Sequence, residues 1–169
     1  MTFEIRALGP DDLAEWRSIR LEALKTVPEA FLTTYDEERA LTDEAVAKRL
    51  KRGTIRAIFS DNALAGVLAF VPMTAAACRH RAEIFAVYTR PSYRKTGATS
   101  ALFDAVLAEA RERGFRQLEL SVAADNLRAI RFYERYGFKW QGRIPRAVRL
   151  GDRWQDDHFY VLSLTQDAS

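Results

Sequence analysis

The sequence contains very little cysteine and histidine. Cys78 is its one cysteine, so no internal disulfide can form, and its two histidines, His80 and His158, stand far apart in the chain. Because this pattern lacks the Cys/His spacing of a metal centre, we expect no metal ion. A single thiol is typical of the reducing cytoplasm, which is the location we expect.

Long apolar runs are also missing. The longest stretch without a charged residue, 62–78, is interrupted by Gly66 and Pro72 and falls short of the roughly 20 apolar residues that span a bilayer. The first residues alternate apolar and polar side chains and soon include an acid, unlike a secretory signal peptide. We therefore expect neither a membrane-spanning segment nor a secretion signal.

Excess charge of one sign is small. Lysine and arginine number 26 against 23 acids, and a net charge of +3 argues against a nucleic-acid partner. Apolar residues make up 48% and charged residues 29%, as in average globular proteins, which excludes a disordered chain. Since a domain averages roughly 150 residues, we predict a single domain over residues 1–169. A homodimer remains open.

Hydrophobic periodicity predicts alternating helices and strands. We predict helices over 10–25, 42–53, 100–113 and 126–136, and strands near residues 1–6, 55–59, 64–71, 82–89, 117–122, 138–141 and 157–164. Residues 26–41 are predicted as a partly exposed loop. A second, basic loop is predicted between the last two strands, with Arg143, Arg146, Arg149 and Arg153. The expected fold is α/β (α+β), a mixed sheet of about six or seven strands with about four helices.

A basic turn joins the predicted strand 82–89 to the helix that begins at Ser100. A turn of this kind can direct unpaired backbone N–H groups and the positive end of a helix at one point, as a pyrophosphate requires. Its one glycine, Gly97, fits neither a P-loop nor a dinucleotide fingerprint. On this evidence alone, an ordinary connection between strand and helix is the favoured interpretation.

Two segments together resemble the GCN5-related N-acetyltransferase (GNAT) superfamily. Residues 94–99, Arg-Lys-Thr-Gly-Ala-Thr, are similar to its Arg/Gln-x-x-Gly-x-Gly/Ala turn, and residues 126–138 are similar to its helix that follows an Asn and ends in Tyr and Gly-Phe. The resemblance covers nearly the whole chain and implies acetyl-CoA as the acyl donor. It implies contacts to acetyl-CoA from Val87, Tyr88, Thr89, Arg94, Lys95, Thr96, Gly97, Ala98, Thr99 and Asn126.

Thr99 departs from the family pattern, which has Gly or Ala at the last position of the turn. Its branched Cβ would take space where the backbone approaches the cofactor. Alternatively, its hydroxyl caps the helix or contacts a phosphate oxygen. The sequence does not choose between these roles.

Glu83 is similar in position to the general-base glutamate of histone-acetylating members of the family. It is the one charge within an apolar strand, where burial would raise its pKa towards that of a base. Alternation predicts that three further residues share its face, Phe85, Val87 and Thr89. The alternative is a salt bridge to Arg79 or Arg81.

Tyr133 resembles the family tyrosine that protonates the coenzyme A thiolate, and its alternative is a core aromatic. Asn126 would hydrogen-bond the pantetheine arm, cap the helix, or do both. Backbone amides near Val87 and Thr89 would polarise the thioester carbonyl.

The acceptor is expected beside residues 26–41, where an acidic segment could attract a cationic amine. Its candidate contacts are Phe31, Tyr35 and Glu38, and the alternative is a solvated loop. We therefore expect an N-acetyltransferase that moves acetyl directly from acetyl-CoA to a small or amino-acid-like amine. The alternatives are a non-catalytic acyl-CoA sensor and acetylation of a protein N-terminus or lysine.

Overall fold

The fold contains a seven-stranded mixed sheet, and the computed structural model describes it over residues 2–165. The strands are β1 Phe3–Ala7, β2 Ile55–Ser60, β3 Ala63–Pro72, β4 Arg81–Thr89, β5 Gln117–Ala123, β6 Lys139–Leu150 and β7 Arg153–Ser163, in the order β1-β2-β3-β4-β5-β7-β6. The helices are α1 Leu13–Thr26, α2 Tyr35–Arg39, α3 Asp43–Leu50, α4 Ala98–Glu112 and α5 Leu127–Arg135. The predicted fold class is confirmed, whereas residue 1 and residues 166–169 lie outside the described residues.

Chain contacts divide these elements between two compact units. Unit one runs to Phe70 and resumes over Ala86–Ala110; unit two comprises Val71–Phe85 and the chain from Arg111 onward. Strand β4 therefore contributes its first half to unit two and its second half to unit one.

Unit one is built on antiparallel pairing. Phe3 of β1 pairs with Ser60 of β2, and β2 and β3 form a hairpin that reverses at two left-handed residues, Asp61 and Asn62. Helix α4 buries the apolar stripe that helical spacing predicts, Leu102, Phe103, Val106, Leu107 and Ala110, and also buries Ala98, which lies before the predicted helix. This stripe explains the helix, since a surface helix needs one apolar face to cover the core.

Residues 26–41 were predicted as a loop, and that prediction was wrong in part, because α2 lies within them. Thr34 Oγ1 accepts a hydrogen bond from Glu37 N at 3.3 Å, and a Glu37 carboxylate oxygen accepts from Thr34 N at 2.8 Å. This reciprocal capping box satisfies two N–H groups that a helix start otherwise leaves free.

Unit two contains β5, β7, β6 and the first half of β4. Strand β4 pairs with β5 in parallel, whereas β5 with β7 and β7 with β6 are antiparallel. The predicted basic loop was wrong, because β6 reaches Leu150 and β7 begins at Arg153. A register shift between Ile144 and Val148, with Arg146 at φ 51°, interrupts the alternation that would have revealed one long strand.

Across residues 2–165, no helix combines the length and the apolar character that crossing a membrane requires.

Candidate active site

The turn between β4 and α4 has the backbone shape of an anion site. Lys95 and Gly97 both adopt left-handed conformations, with φ of 65° and 91°. Within the described residues, the backbone N–H groups of Lys95, Thr96 and Gly97 make no hydrogen bond. Successive N–H groups in such a turn form a concave nest that binds anions, and the start of α4 adds its positive dipole end. A Cβ on Gly97 would have no atom within 4 Å, so there is room for a side chain. Glycine is favoured there because of its left-handed φ angle.

The hydroxyl of Thr99 is engaged by a strand residue. Its Oγ1 lies 2.8 Å from Oγ1 of Thr89, so the pair links the end of β4 to the first turn of α4. The hydroxyl nearest the helix start belongs to Thr96, which donates to the carbonyl oxygen of Tyr93 at 2.7 Å and lies 3.4 Å from the N–H of Ala98. Neither role predicted for Thr99 included a bond to Thr89. A hydroxyl keeps further acceptor capacity beyond one bond, so a phosphate contact stays a prediction.

Tyr88 is buried, with 3% of its surface exposed, and its side chain serves the scaffold. Its phenol donates to Glu22 Oε1 at 2.9 Å and lies 3.2 Å from Thr26 Oγ1, both on α1. A Cβ on Gly66 would lie 2.9 Å from the Tyr88 carbonyl oxygen, so glycine is required where β3 passes this residue. The side chain of Tyr88 is thus occupied, and its backbone is what remains for the predicted cofactor contact.

Arg90 and Glu22 were not predicted as site residues, yet their ion pair fixes the chain where β4 ends and the turn begins. Arg90 Nε donates to Glu22 Oε2 at 3.0 Å, and Arg90 Nη1 donates to the Leu64 carbonyl oxygen at 3.0 Å. Arg94 Nε similarly donates to the Thr89 carbonyl oxygen at 3.2 Å. No local sequence signal could identify the pair of Arg90 and Glu22, because the two residues are 68 positions apart.

Strand β4 is interrupted at Ala86, whose φ of 52° is left-handed. Alternation holds only along continuous extended backbone, so it does not carry across this residue. The prediction that Glu83 and Phe85 share one face with Val87 and Thr89 was therefore wrong in its reasoning. Phe85 is 45% exposed, whereas Thr89 is buried.

Glu83 lies in unit two, directly opposite Glu119 in the parallel register of β4 and β5. It is half-buried and makes no ion pair within the described residues. Burial raises the pKa of Glu83, and the charge of Glu119 raises it further. The predicted alternative, a salt bridge to Arg81, was wrong, because Arg81 pairs with Glu119. A carboxyl group with this combination of burial and a like-charged neighbour has the character of a general base.

Glu119 was read from the sequence as a polar position of an alternating strand, but it is buried, with 3% of its surface exposed. Arg81 Nη2 donates to Glu119 Oε2 at 2.8 Å, and Arg81 Nε contacts Oε1. Gln117 Nε2 also donates to Oε1, at 2.7 Å. These donors lower the pKa of Glu119, the hydrogen bond from Arg81 most of all. The sequence signal that could have indicated a buried, paired Glu119 was its position between two leucines, Leu118 and Leu120.

Tyr133 and Asn126 are carried by α5, also in unit two. Asn126 caps this helix, its Oδ1 accepting from the N–H of Ala129 at 3.1 Å. Tyr133 is 9% exposed and lies at aromatic contact distances from Phe132 and Phe138. Burial raises the pKa of Tyr133 to about 12, which keeps its phenol protonated at neutral pH. That is the state that a proton donor requires.

The predicted acceptor residues differ in their surroundings. Tyr35 is half-buried at the start of α2, whereas Phe31 is buried with its ring 4.8 Å from the guanidinium of Arg20. Glu38 is also buried: Arg49 Nη1 donates to both its oxygens at 2.9 and 3.0 Å, and Arg20 Nε lies 3.4 Å away. The negative charge of Glu38 is therefore balanced by two guanidinium groups, whereas its neighbours Asp36 and Glu37 are exposed. Attraction of an amine to this segment stays a prediction.

Across residues 2–165, no three His, Cys, Asp or Glu side chains lie grouped so that they could hold a metal ion.

Comparison with known families adds a sequence match over most of the chain. The model of the acetyltransferase (GNAT) family matches residues 13–138. An uncharacterised N-acetyltransferase of Mycobacterium tuberculosis is 40% identical over 82 residues, which cover 48% of this chain and 51% of that protein. The chain thus spans about half the length of this curated relative.

Solved structures match the whole fold. An N-acetyltransferase from Staphylococcus aureus superposes with a TM-score of 0.84 at 23% identity, over 98% of this chain and 100% of that one. A candidate acetyltransferase from Salmonella typhimurium, solved with its cofactor acetyl-CoA, superposes with a TM-score of 0.83 at 19% identity, over 100% of this chain and 98% of that one. At these identities the likeness concerns the fold.

Proposed function

The chain belongs to the acetyltransferase (GNAT) family, and we propose that it moves the acetyl group of acetyl-CoA directly onto the amine of a small-molecule or amino-acid-like acceptor. The observation that carries this proposal is the nest of N–H groups at residues 95–97, which offers donors for a pyrophosphate. The acyltransferase domain is proposed to span residues 1–169.

Acetyl-CoA is proposed to bind through the turn 94–99 and the second half of β4. The N–H groups of the turn would donate to pyrophosphate oxygens, and the remaining guanidinium donors of Arg94 would add charge-assisted bonds. Backbone amides near Val87 and Thr89 would polarise the thioester carbonyl. Asn126 would hold the pantetheine arm with the amide N–H₂ group that its capping bond leaves available.

Glu83 and Tyr133 are proposed to move the protons. Glu83 accepts a proton from the incoming ammonium group, which frees the amine lone pair. The amine then attacks the carbonyl carbon; the C–N bond forms as the C–S bond breaks. The departing thiolate takes the phenol proton of Tyr133, and the resulting phenolate recovers a proton from the new amide nitrogen. The ammonium group therefore loses two protons: Glu83 takes the first and releases it to solvent, and the thiol gains the second through Tyr133.

The experiment is thiol release from acetyl-CoA with a panel of amines, amino acids and peptides. Tyr133→Phe keeps the ring and removes the phenol, so we expect turnover to fall about 10²–10⁴-fold with little change in acetyl-CoA affinity. Tyr136→Phe, at the end of the same helix, is the matched control and should retain turnover.

Three results would contradict the proposal. Acetyl-CoA binding without thiol release on any amine would favour the sensor alternative. Release with peptides alone would favour acetylation of a protein N-terminus or lysine. Absence of any acetyl-CoA binding by calorimetry would remove the proposal altogether.

A further inference from the structure

Four side chains of β4 and β5 form a compact charged cluster, here called the carboxylate square. Its members are Arg81 and Glu83 on β4 and Gln117 and Glu119 on β5. The register pairs Arg81 with Gln117 and Glu83 with Glu119, so all four lie on one face of the sheet. Neighbouring strands are about 4.8 Å apart, which brings the two carboxylates within strong electrostatic range of each other.

Two carboxylates share the face of the sheet that carries Arg81, and Arg81 bonds to the one more distant in sequence. Glu83 is two residues away on the same strand, yet the guanidinium binds both oxygens of Glu119, 38 positions away. Its remaining contact is from Nη1 to Cys78 Sγ at 3.7 Å. A bidentate pairing of guanidinium and carboxylate is the stronger geometry, and Gln117 adds a third donor to the same carboxylate.

We propose that Glu119 is a positioning residue that keeps Glu83 available as a base. Its carboxylate occupies the guanidinium that Glu83 would otherwise bind, and it fixes a negative charge beside Glu83. This inference rests on the proposed function, in which Glu83 is the base. Glu119 itself touches no reacting atom in the proposed chemistry.

Among residues 2–165, no cation forms an ion pair with Glu83, and the neighbouring groups of unit two act elsewhere. His80 acts on Glu119, whose pKa it lowers. On β7, Val161 lies opposite Glu119 and is apolar; beyond it on β6, Lys139 pairs with Val161 and is exposed. The charge that acts on Glu83 from its own strand pair is therefore that of Glu119, to which Arg81 is bound.

Glu119→Gln tests this arrangement while keeping the shape of the side chain. The change removes the fixed negative charge and releases Arg81 to pair with Glu83, and an opposite charge at that distance lowers a carboxyl pKa by about 1–3 units. We expect the acidic limb of kcat/KM against pH to move at least about one unit lower. Asp157→Asn, which removes a buried carboxylate bonded to Gln155 on β7, is the matched control and should not move it.

A carbon NMR titration of the Glu83 carboxyl, without substrate, separates this inference from the proposed function. If Glu83→Gln keeps full activity, the base assignment fails, whereas the titration still reports whether Glu119 controls Glu83. An unchanged Glu83 titration in Glu119→Gln would overturn the inference.

Arg81→Gln provides a second variant, should Glu119→Gln fold poorly. It leaves two carboxylates without the guanidinium, so the pH limb and the Glu83 titration should move in the opposite direction, to higher pH. Lower stability with both titrations unmoved would mean that the square is only structural.

Discussion

Two buried glutamates, one in each unit, are held by arginine but have opposite charge surroundings. The side chains of Glu38 and Glu119 are both 4% exposed. Glu38 has two guanidinium groups, from Arg20 and Arg49, for its one carboxylate. Glu119 has one guanidinium group and lies beside a second carboxylate, Glu83.

The two clusters differ in the ratio of carboxylates to guanidinium groups. At Glu38 the negative charge is matched by guanidinium groups on both sides, so the carboxylate connects α1, α2 and α3. At Glu119 one carboxylate exceeds the supply of cations, and that excess group is Glu83. Burial alone therefore does not distinguish the two clusters; the like-charged neighbour that raises the pKa of Glu83 does.

The largest effect on the free energy of unfolding is expected at Glu38, whose charge two arginines balance. Glu38→Gln leaves the guanidinium of Arg20 buried, with 8% of the residue exposed, and without an anion, which costs about 3–5 kcal/mol of folding free energy. Urea unfolding measures this loss. Asp36→Asn, on the exposed side of the same helix, is the control and should change stability by less than about 0.5 kcal/mol. If Glu38→Gln lost less than about 1 kcal/mol, the buried pair of Glu38 and Arg20 would contribute no more to stability than a surface ion pair.

A smaller effect of opposite sign is expected at Glu83. Its pKa is raised on folding, so above that pKa the folded protein carries an ionised carboxylate that the unfolded chain solvates better. Glu83→Gln should therefore melt at a higher temperature at pH 7. The gain should shrink as pH falls and vanish below about 4.3, the unfolded value, where both states bind the proton. Thermal melts from pH 4 to 8 measure it; a lower melting temperature at pH 7 would contradict the raised pKa.

The smallest effect is expected at an exposed pair, Arg143 with Asp156 on β6 and β7. Arg143 is 63% exposed at its side chain, so Arg143→Gln should cost less than about 1 kcal/mol. Asp156 also accepts the N–H of Arg146 at 2.7 Å, a bond that the change leaves intact. Added salt should reduce the difference in unfolding free energy further. If Arg143→Gln lost as much unfolding free energy as Glu38→Gln, the exposed and the buried ion pair would not differ in their contribution to stability.

The sequence predicted the elements whose signals are local. The turn 94–99, the stripe of α4 and the cap of α5 at Asn126 all depend on residues within one or two turns of one another, and the structure contains each of them. The short helix α2 also had a local signal, Thr34 with Glu37 three residues later, which spacing could have identified.

The choice of ionic partner could not be read from sequence. Arg81 stands two positions from Glu83 and 38 from Glu119, and proximity along the chain favoured the wrong partner. The parallel register of β4 and β5 makes Glu119 reachable, and register is a property of the folded sheet. The two arginine partners of Glu38 were hidden for the same reason, since acidic composition does not indicate which guanidinium groups fold against it.

Strand β6 is the last strand of the sheet, so one of its sides offers backbone groups to any other extended chain. Pro145 has no N–H to donate, and the left-handed Arg146 bends the strand beside it. Arg143 and Arg149 place positive charge along the same border. The irregular stretch that concealed this strand in the sequence thus discourages further copies from adding to the sheet, and straightening it would favour aggregation into fibrils.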